Sequence, residues 1–347
     1  MTLGSKFLST HLGTSLALAA LCSLPACGGP KGPINGSAAM AHVEKFVGFG
    51  PRPFGSAALA KQADYICDEV KKLGLTPQRH EVMEEKEKKL IRNLYVQIDG
   101  PDPANGPILM IGAHYDTKLT EGHSDAAHNF PFVGAIDGGG GPAVLLELAR
   151  ELKAQQSKLT TNVWLYWIDA EESIDWEWGN GDRALLGSKA FCKWLHAEKI
   201  LPRVKAFVLI DLIGSKNFKI DRDGNSDQRL QTLFEEAGQA AGLASILYKY
   251  PTDQELNQYR SRGIKWGTTD DHMSFRDVGV PSVLLIDFHG RQPEGQQIEG
   301  LERWWHTADD NLAAMDKNAL AMTGNLVMQA LPGLQDFVLG KRKDKKK

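Results

Sequence analysis

The sequence predicts a single α/β domain, a mixed and mostly parallel central sheet flanked by helices. Three observations lead there. Apolar runs alternate with amphipathic ones from residue 40 onward, the pattern of chains that lay helices against a sheet. Several of those apolar runs lack any polar alternation, as strands covered on both faces do. No internal repeat and no long polar linker divides the chain. Composition agrees: 347 residues, 42% hydrophobic and 24% charged, supply a full core and exclude a disordered or collagen-like polymer.

Taken in order, the expected strands are Leu94–Ile98, Ile108–Ala113, Asn162–Ile168, Ala206–Ile213 and Val283–Phe288. The expected helices are Ala57–Leu73, Gly141–Gln155, Ala184–His196, Gln228–Ala241 and Ala313–Val338. Leu331-Pro332-Gly333 marks a point where the last of these can break, because proline lacks the N–H that an interior helical turn needs. Trp164 and Trp167 fall inside an apolar run and read as core packing.

The two ends differ from the middle. Lys6 followed by the apolar run Leu16–Leu24 reads as a targeting signal, too short to span a bilayer. It leads into Leu24-Pro25-Ala26-Cys27, which resembles the lipobox of bacterial lipoproteins. That resemblance implies a signal peptide over residues 1–26 and lipidation at Cys27; the Gly- and Pro-rich residues that follow read as a tether, over 27–39, ahead of a domain over 40–339. The same resemblance places the protein in a bacterial cell envelope, on the outer membrane, held only by the lipid anchor. Residues 340–347 form a basic, solvated tail.

Charge and cysteine usage narrow the function. Lys+Arg number 40 against Asp+Glu 43, a net charge of −3, so no basic face for nucleic acid is expected. Four cysteines exclude a disulfide scaffold, and Cys67 and Cys192 read as buried thiols whose pairing spacing alone does not settle. Oligomeric state is not encoded in any pattern here.

Chemistry-bearing residues recur where the apolar runs end, the place where open α/β sheets bind ligands. Ile108–Ala113 runs into His114, Tyr115, Asp116 and Lys118; Asn162–Ile168 runs into Asp169, Glu171 and Glu172; Asp211 closes another run. Asp137 precedes the glycine run Gly138–Gly141, and Asp270, Asp271 and His272 stand before the last strand, with Trp304, Trp305 and His306 after it. Imidazole with carboxylates is a zinc ligand set, and a catalytic zinc keeps one position open. In Glu171-Glu172, neighbouring side chains point apart, so one can ligate metal while the other moves protons. The glycine run lacks the Lys-Ser/Thr ending of a phosphate loop. His123, His128 and His289 read as loop or supporting residues, and His272 as orienting the Asp270-Asp271 pair.

This constellation resembles the zinc aminopeptidase superfamily and, within it, the animal-type glutaminyl cyclases (glutaminyl-peptide cyclotransferases). The resemblance runs from about Phe46 to Asn311. Co-catalytic aminopeptidases carry Gly-Ala-Asp-Asp where this chain has Gly134-Ala135-Ile136-Asp137, and Ser-Asp-His where it has Asp270-Asp271-His272. The resemblance therefore implies cyclisation of an N-terminal glutamine of a peptide or protein to pyroglutamate, with loss of ammonia. It assigns one Zn2+ to Asp137, Glu172 and His306, proton transfer to Glu171, and a supporting carboxylate network to Asp270 and Asp211. Trp305 walls the substrate pocket, with either Trp176 or Trp178. His114 is a zinc ligand in the two-metal peptidases, so a two-zinc aminopeptidase is the alternative, with two Zn2+ per chain. A non-catalytic surface binding protein is the third reading. The chain lacks the cysteines that flank these segments in the animal enzymes, and its glycine run implies a looser loop behind Asp137.

Overall fold

Four adjacent parallel strands form one side of the sheet and carry the site at their carboxyl ends. A computed structural model describes residues 32–176, 178, 181–291 and 297–342. The signal segment, Cys27 and all but the first residues of the basic tail lie outside the described residues. The strands are β1 (Gln78–Glu84), β2 (Lys89–Ile98), β3 (Ile108–His114), β4 (Asn162–Ile168), β5 (Val204–Asp211) and β6 (Ser282–Ile286), in the order β1-β2-β4-β3-β5-β6. β4, β3, β5 and β6 run parallel, whereas β1 and β2 add to one side as antiparallel strands. A separate ribbon pairs β7 (His289–Arg291) with β8 (Gln297–Leu301).

The helices are α1 (Gly36–Val47), α2 (Ala57–Lys72), α3 (Gly140–Ala154), α4 (Leu186–Ala197), α5 (Gln228–Ala240), α6 (Asp253–Ser261), α7 (Asp271–Asp277) and α8 (Lys317–Val338). Consecutive residues of β4 show how they divide, because neighbours in a strand face opposite sides. Tyr166 stacks on Phe191 of α4, 4.2 Å between ring centres. Trp167 points the other way and donates from its indole N–H to Pro142 O of α3. Helices α1, α3, α8 and α5 pack on one another in the α3 layer, and α7 joins α4 in the other. β3 and β4 are buried at every position, which is why they read as unbroken apolar runs. Among the described residues no helix is long and apolar enough to cross a membrane.

Several elements differ from expectation. α1 starts at Gly36, inside the stretch read as tether, capped by Asn35 and buried through Ala39, Val43 and Phe46. β1 and the first half of β2 form a half-exposed hairpin rich in charge, which gives no apolar run to read. α6 is mostly polar, with no fully buried residue, and carries a Thr252–Glu255 capping box. The helix expected from Ala313 begins only at Lys317, capped by Asp316, and it continues through Pro332 to Val338 without a break. Leu331, Leu334 and Val338 are buried around and beyond that proline, and this packing holds the turn.

The glycine run is packed, not loose. Gly138 adopts φ +77°, and a Cβ there would stand 2.0 Å from Asp116 O; one at Gly140 would stand 2.1 Å from Ile213 O. The start of α3 thus lies directly on the ends of the strands, closer than any side chain allows. Gly138→Ala should lose about 2–4 kcal/mol from combined strain and overlap. Urea unfolding checks this; a loss below about 0.5 kcal/mol would mean that the close approach is not required.

Candidate active site

Three adjacent parallel strands end together, and each delivers an ionisable residue. β3 ends in His114, β5 ends in Asp211, and β4 runs on through Asp169 and Ala170 to Glu171 and Glu172. Asp137 comes from the loop entering α3, Asp270 caps α7, and His306 follows β8. His306 takes φ +51°, unusual for a residue with a side chain, so packing must hold it there.

Asp137 joins two clusters. Its Oδ1 lies 3.2 Å from His114 Nε2 and its Oδ2 lies 3.3 Å from His306 Nε2. His306 Nε2 is also 3.2 Å from Glu172 Oε1, and His114 Nε2 is 2.9 Å from Asp211 Oδ1. The structure therefore brings the predicted ligands Asp137, Glu172 and His306 into one set, and His114 and Asp137 into another with Asp211, a residue expected only to support Glu171; all are buried. Both sets offer imidazole and carboxylate, the donor chemistry of zinc. In the first set the second carboxylate oxygen of Glu172 is buried without a hydrogen-bond partner, as suits a ligand group rather than a structural one.

The supports of these ligands are themselves buried. Asp310 accepts the backbone N–H of Ile136 (2.7 Å) and of Asp137 (3.0 Å), and Arg52 donates to Val133 O (2.7 Å) and Gly134 O (2.8 Å). Asp116 accepts the N–H of both Glu171 (3.1 Å) and Glu172 (3.2 Å), fixing the pair from below. Lys118 donates to Ser173 O (2.6 Å) and Asp175 O (2.8 Å), clamping the loop beyond the pair. Sequence reasoning gives Asp116, Lys118 and Asp310 no role, although each sits within a segment carrying a predicted ligand.

Burial drives the Glu171 carboxyl well above the usual range; His114 opposes this, while Asp270 and Glu172 add to it. Burial opposes charge on Asp137 too, but His114 and His306 outweigh it and hold that carboxyl low. One oxygen of Asp270 accepts the N–H of Asp271 (2.6 Å), and the other is buried without a partner.

A cavity of about 270 Å³ opens over these groups. Glu171, Asp270, Asp211 and the Asp137–Glu172–His306 set all line it. Trp178 lines it as well, whereas Trp176 packs against His123 and His128, with its ring centre 6.0 Å from that of His306. Trp305 stacks on His306 at 4.0 Å and meets Phe288 edge-on at 5.1 Å. Trp266 and His289 complete the wall; no motif marks Trp266, and His289 reads in sequence only as a supporting residue. His272 does not reach the Asp270-Asp271 pair. Its Nε2 faces Asp223 (3.2 Å), which accepts the N–H of Thr268 (2.8 Å) and so holds the cavity wall. Cys67 and Cys192 are free and buried, and burial pushes both thiols up, which leaves them unreactive.

Comparison with known proteins gives the same picture. Residues 93–331 match Peptidase family M28. The glutaminyl-peptide cyclotransferase of Drosophila melanogaster is 28% identical over 241 residues, 63% of this chain and 58% of that protein. An aminopeptidase of Bacillus subtilis (strain 168) is 26% identical over 220 residues, 63% of this chain and 41% of its own. The crystal structure of an Acidobacteriales bacterium glutaminyl cyclase aligns with a TM-score of 0.71 at 26% identity, covering 90% of this chain and 99% of that one. The chain spans little more than half the length of the curated cyclotransferases it matches. A match over more than half of its length, on a shared fold, means that the chain belongs to Peptidase family M28, with glutaminyl cyclases among its relatives.

Proposed function

We propose that this protein cyclises the N-terminal glutamine of peptides and proteins to pyroglutamate, releasing ammonia, and that Cys27 anchors it by lipid in a bacterial cell envelope. The observation that carries the activity is the pairing of Glu171 with Glu172. Glu171 stands outside the first donor set, 3.9 Å from His114 Nδ1 and raised well above the usual range by burial, while Glu172 is turned to His306 at 3.2 Å. Asp137, Glu172 and His306 would hold zinc, which would supply a Lewis acid for the γ-carboxamide oxygen. In that set Glu172 and Asp137 converge on His306 Nε2 at 3.2 and 3.3 Å, whereas His114 Nε2 lies 2.9 Å from Asp211 and 3.2 Å from Asp137.

Glu171 takes a proton from the α-amine, whose nitrogen attacks the γ-carboxamide carbon. The bond from that carbon to the amide nitrogen then breaks, and Glu171 delivers the proton to the departing ammonia. A raised carboxyl suits both transfers, since it must gain and lose the same proton. Asp270 and Asp211 line the same cavity beside it, and Trp178 and Trp305 hold the folded side chain against water. Nucleophile and electrophile belong to one residue, so holding that conformer supplies much of the rate.

A two-zinc aminopeptidase is the second reading, favoured by the His114–Asp137–Asp211 set. Mass spectrometry of a Gln-initiated peptide and a Leu-initiated control separates them. Loss of one ammonia from the Gln peptide alone is the expected result; loss of the whole first residue from either peptide would establish the peptidase. In Glu171→Gln, turnover should fall by about 10²–10⁴ while zinc content, read by elemental analysis, stays at the wild-type level. Retained turnover would remove Glu171 from the chemistry.

A further inference from the structure

A second carboxylate–imidazole pair lies on the cavity wall, outside both metal-donor sets. His289 lines the cavity, and its Nδ1 is 2.8 Å from Asp221 Oδ2. The same oxygen accepts the backbone N–H of Phe288 (2.8 Å) and of His289 (2.9 Å). A carboxylate oxygen only accepts, so Nδ1 carries the proton and Nε2 is the ring's remaining polar atom. Trp266 covers the ring at 4.3 Å and Tyr250 at 4.7 Å, so the imidazole is confined in orientation as well as in position.

The base of this pair is a buried ionic cluster. Lys219 Nζ donates to Asp287 Oδ1 (2.5 Å) and Glu302 Oε1 (3.1 Å) and lies 3.8 Å from Asp221 Oδ1. Ser215 donates to the other Asp287 oxygen (2.5 Å), and the Glu302 N–H donates to Phe288 O (2.8 Å). Three separate chain segments are thus tied together under Phe288 and His289. Burying such a cluster is costly, and a well-packed apolar core would serve stability as well. What the cluster does that an apolar core could not is present one oriented imidazole to the cavity.

We infer that His289, held by Asp221, is a specificity-determining residue that accepts a backbone N–H from the peptide beyond its first residue. This rests on the cyclase reading for where the first residue lies: its amine and side-chain amide are taken by Glu171 and the Asp137–Glu172–His306 set. The neighbours of His289 are Asp221, Trp266, Tyr250 and Phe288, not that set, so it is placed for the residue after the glutamine. A backbone N–H is the donor that almost every peptide offers there, and the Trp266 indole gives the chain an apolar surface to lie on.

The test uses zinc-loaded protein and two substrates, Gln-Ala-Ala and glutamine methyl ester, the latter lacking any N–H after the first residue. In His289→Ala and Asp221→Asn, the ratio of KM for the peptide to KM for the ester should rise about tenfold, the worth of one hydrogen bond. His289→Gln, which retains an acceptor, should recover part of it. An unchanged ratio, or a loss confined to kcat, would overturn the inference. Calorimetric binding of the same two compounds to Glu171→Gln, with and without His289→Ala, reads the contact without turnover. If wild type forms no pyroglutamate, the cyclase reading falls; equal peptide affinity in those two variants overturns the His289 contact separately.

Discussion

One carboxylate shared between two imidazoles organises this protein. Asp137 turns one oxygen to His114 and the other to His306, residues from the end of a central strand and from a loop near the other end of the chain. A carboxylate can serve two partners only if its backbone is held still, and the surrounding structure does this from several directions. Asp310 grips the N–H groups of residues 136 and 137, Arg52 ties down the preceding carbonyls, and Gly138 lets the chain press onto Asp116. The N-terminus of α3, three residues on, adds the positive end of a helix dipole beside the same carboxylate.

The arrangement concentrates charge where a protein least tolerates it. Asp116, Asp137, Glu171, Glu172, Asp211, Asp270 and Asp271 are all buried within one region. Backbone N–H groups, two histidines and a buried arginine offset part of that repulsion, and a divalent cation would offset more. Burial lowers the Arg52 guanidinium to about 10, against the pull of Asp310, Asp137 and Asp116. Buried charge of this kind gathers at functional sites, and here the apolar sheet beneath supplies the stability that sustains it.

The sheet is legible because burial on both faces leaves an unmistakable apolar run, and His114, Glu171, Glu172 and Asp211 are legible because they stand at or just beyond the ends of such runs, whereas Asp137 and His306 lie in loops and are marked only by the family resemblance. β1 and α6 left no comparable trace, since one is a half-exposed hairpin edge and the other is mostly polar, with no fully buried residue. α1 did carry a signal in Ala39, Val43 and Phe46, obscured by the Gly- and Pro-rich stretch before it. Whether Trp176 or Trp178 faces the cavity depends on how a loop turns, and spacing in sequence does not encode that. The glycine run misled for a related reason: it reads as flexibility in a chain but as close approach in a fold. The Asp221–His289 pair joins residues far apart in sequence and belongs to no motif, so only the folded chain reveals it.

The central claim is that Asp137, though placed between two donor sets, serves one ion. An anomalous-difference map at the zinc edge, from crystals grown with excess zinc, tests it most directly. One peak, among Asp137, Glu172 and His306, with His114 still hydrogen-bonded to Asp211, is the expected result. A second full peak between His114 and Asp211 would contradict it and make this a two-metal hydrolase site.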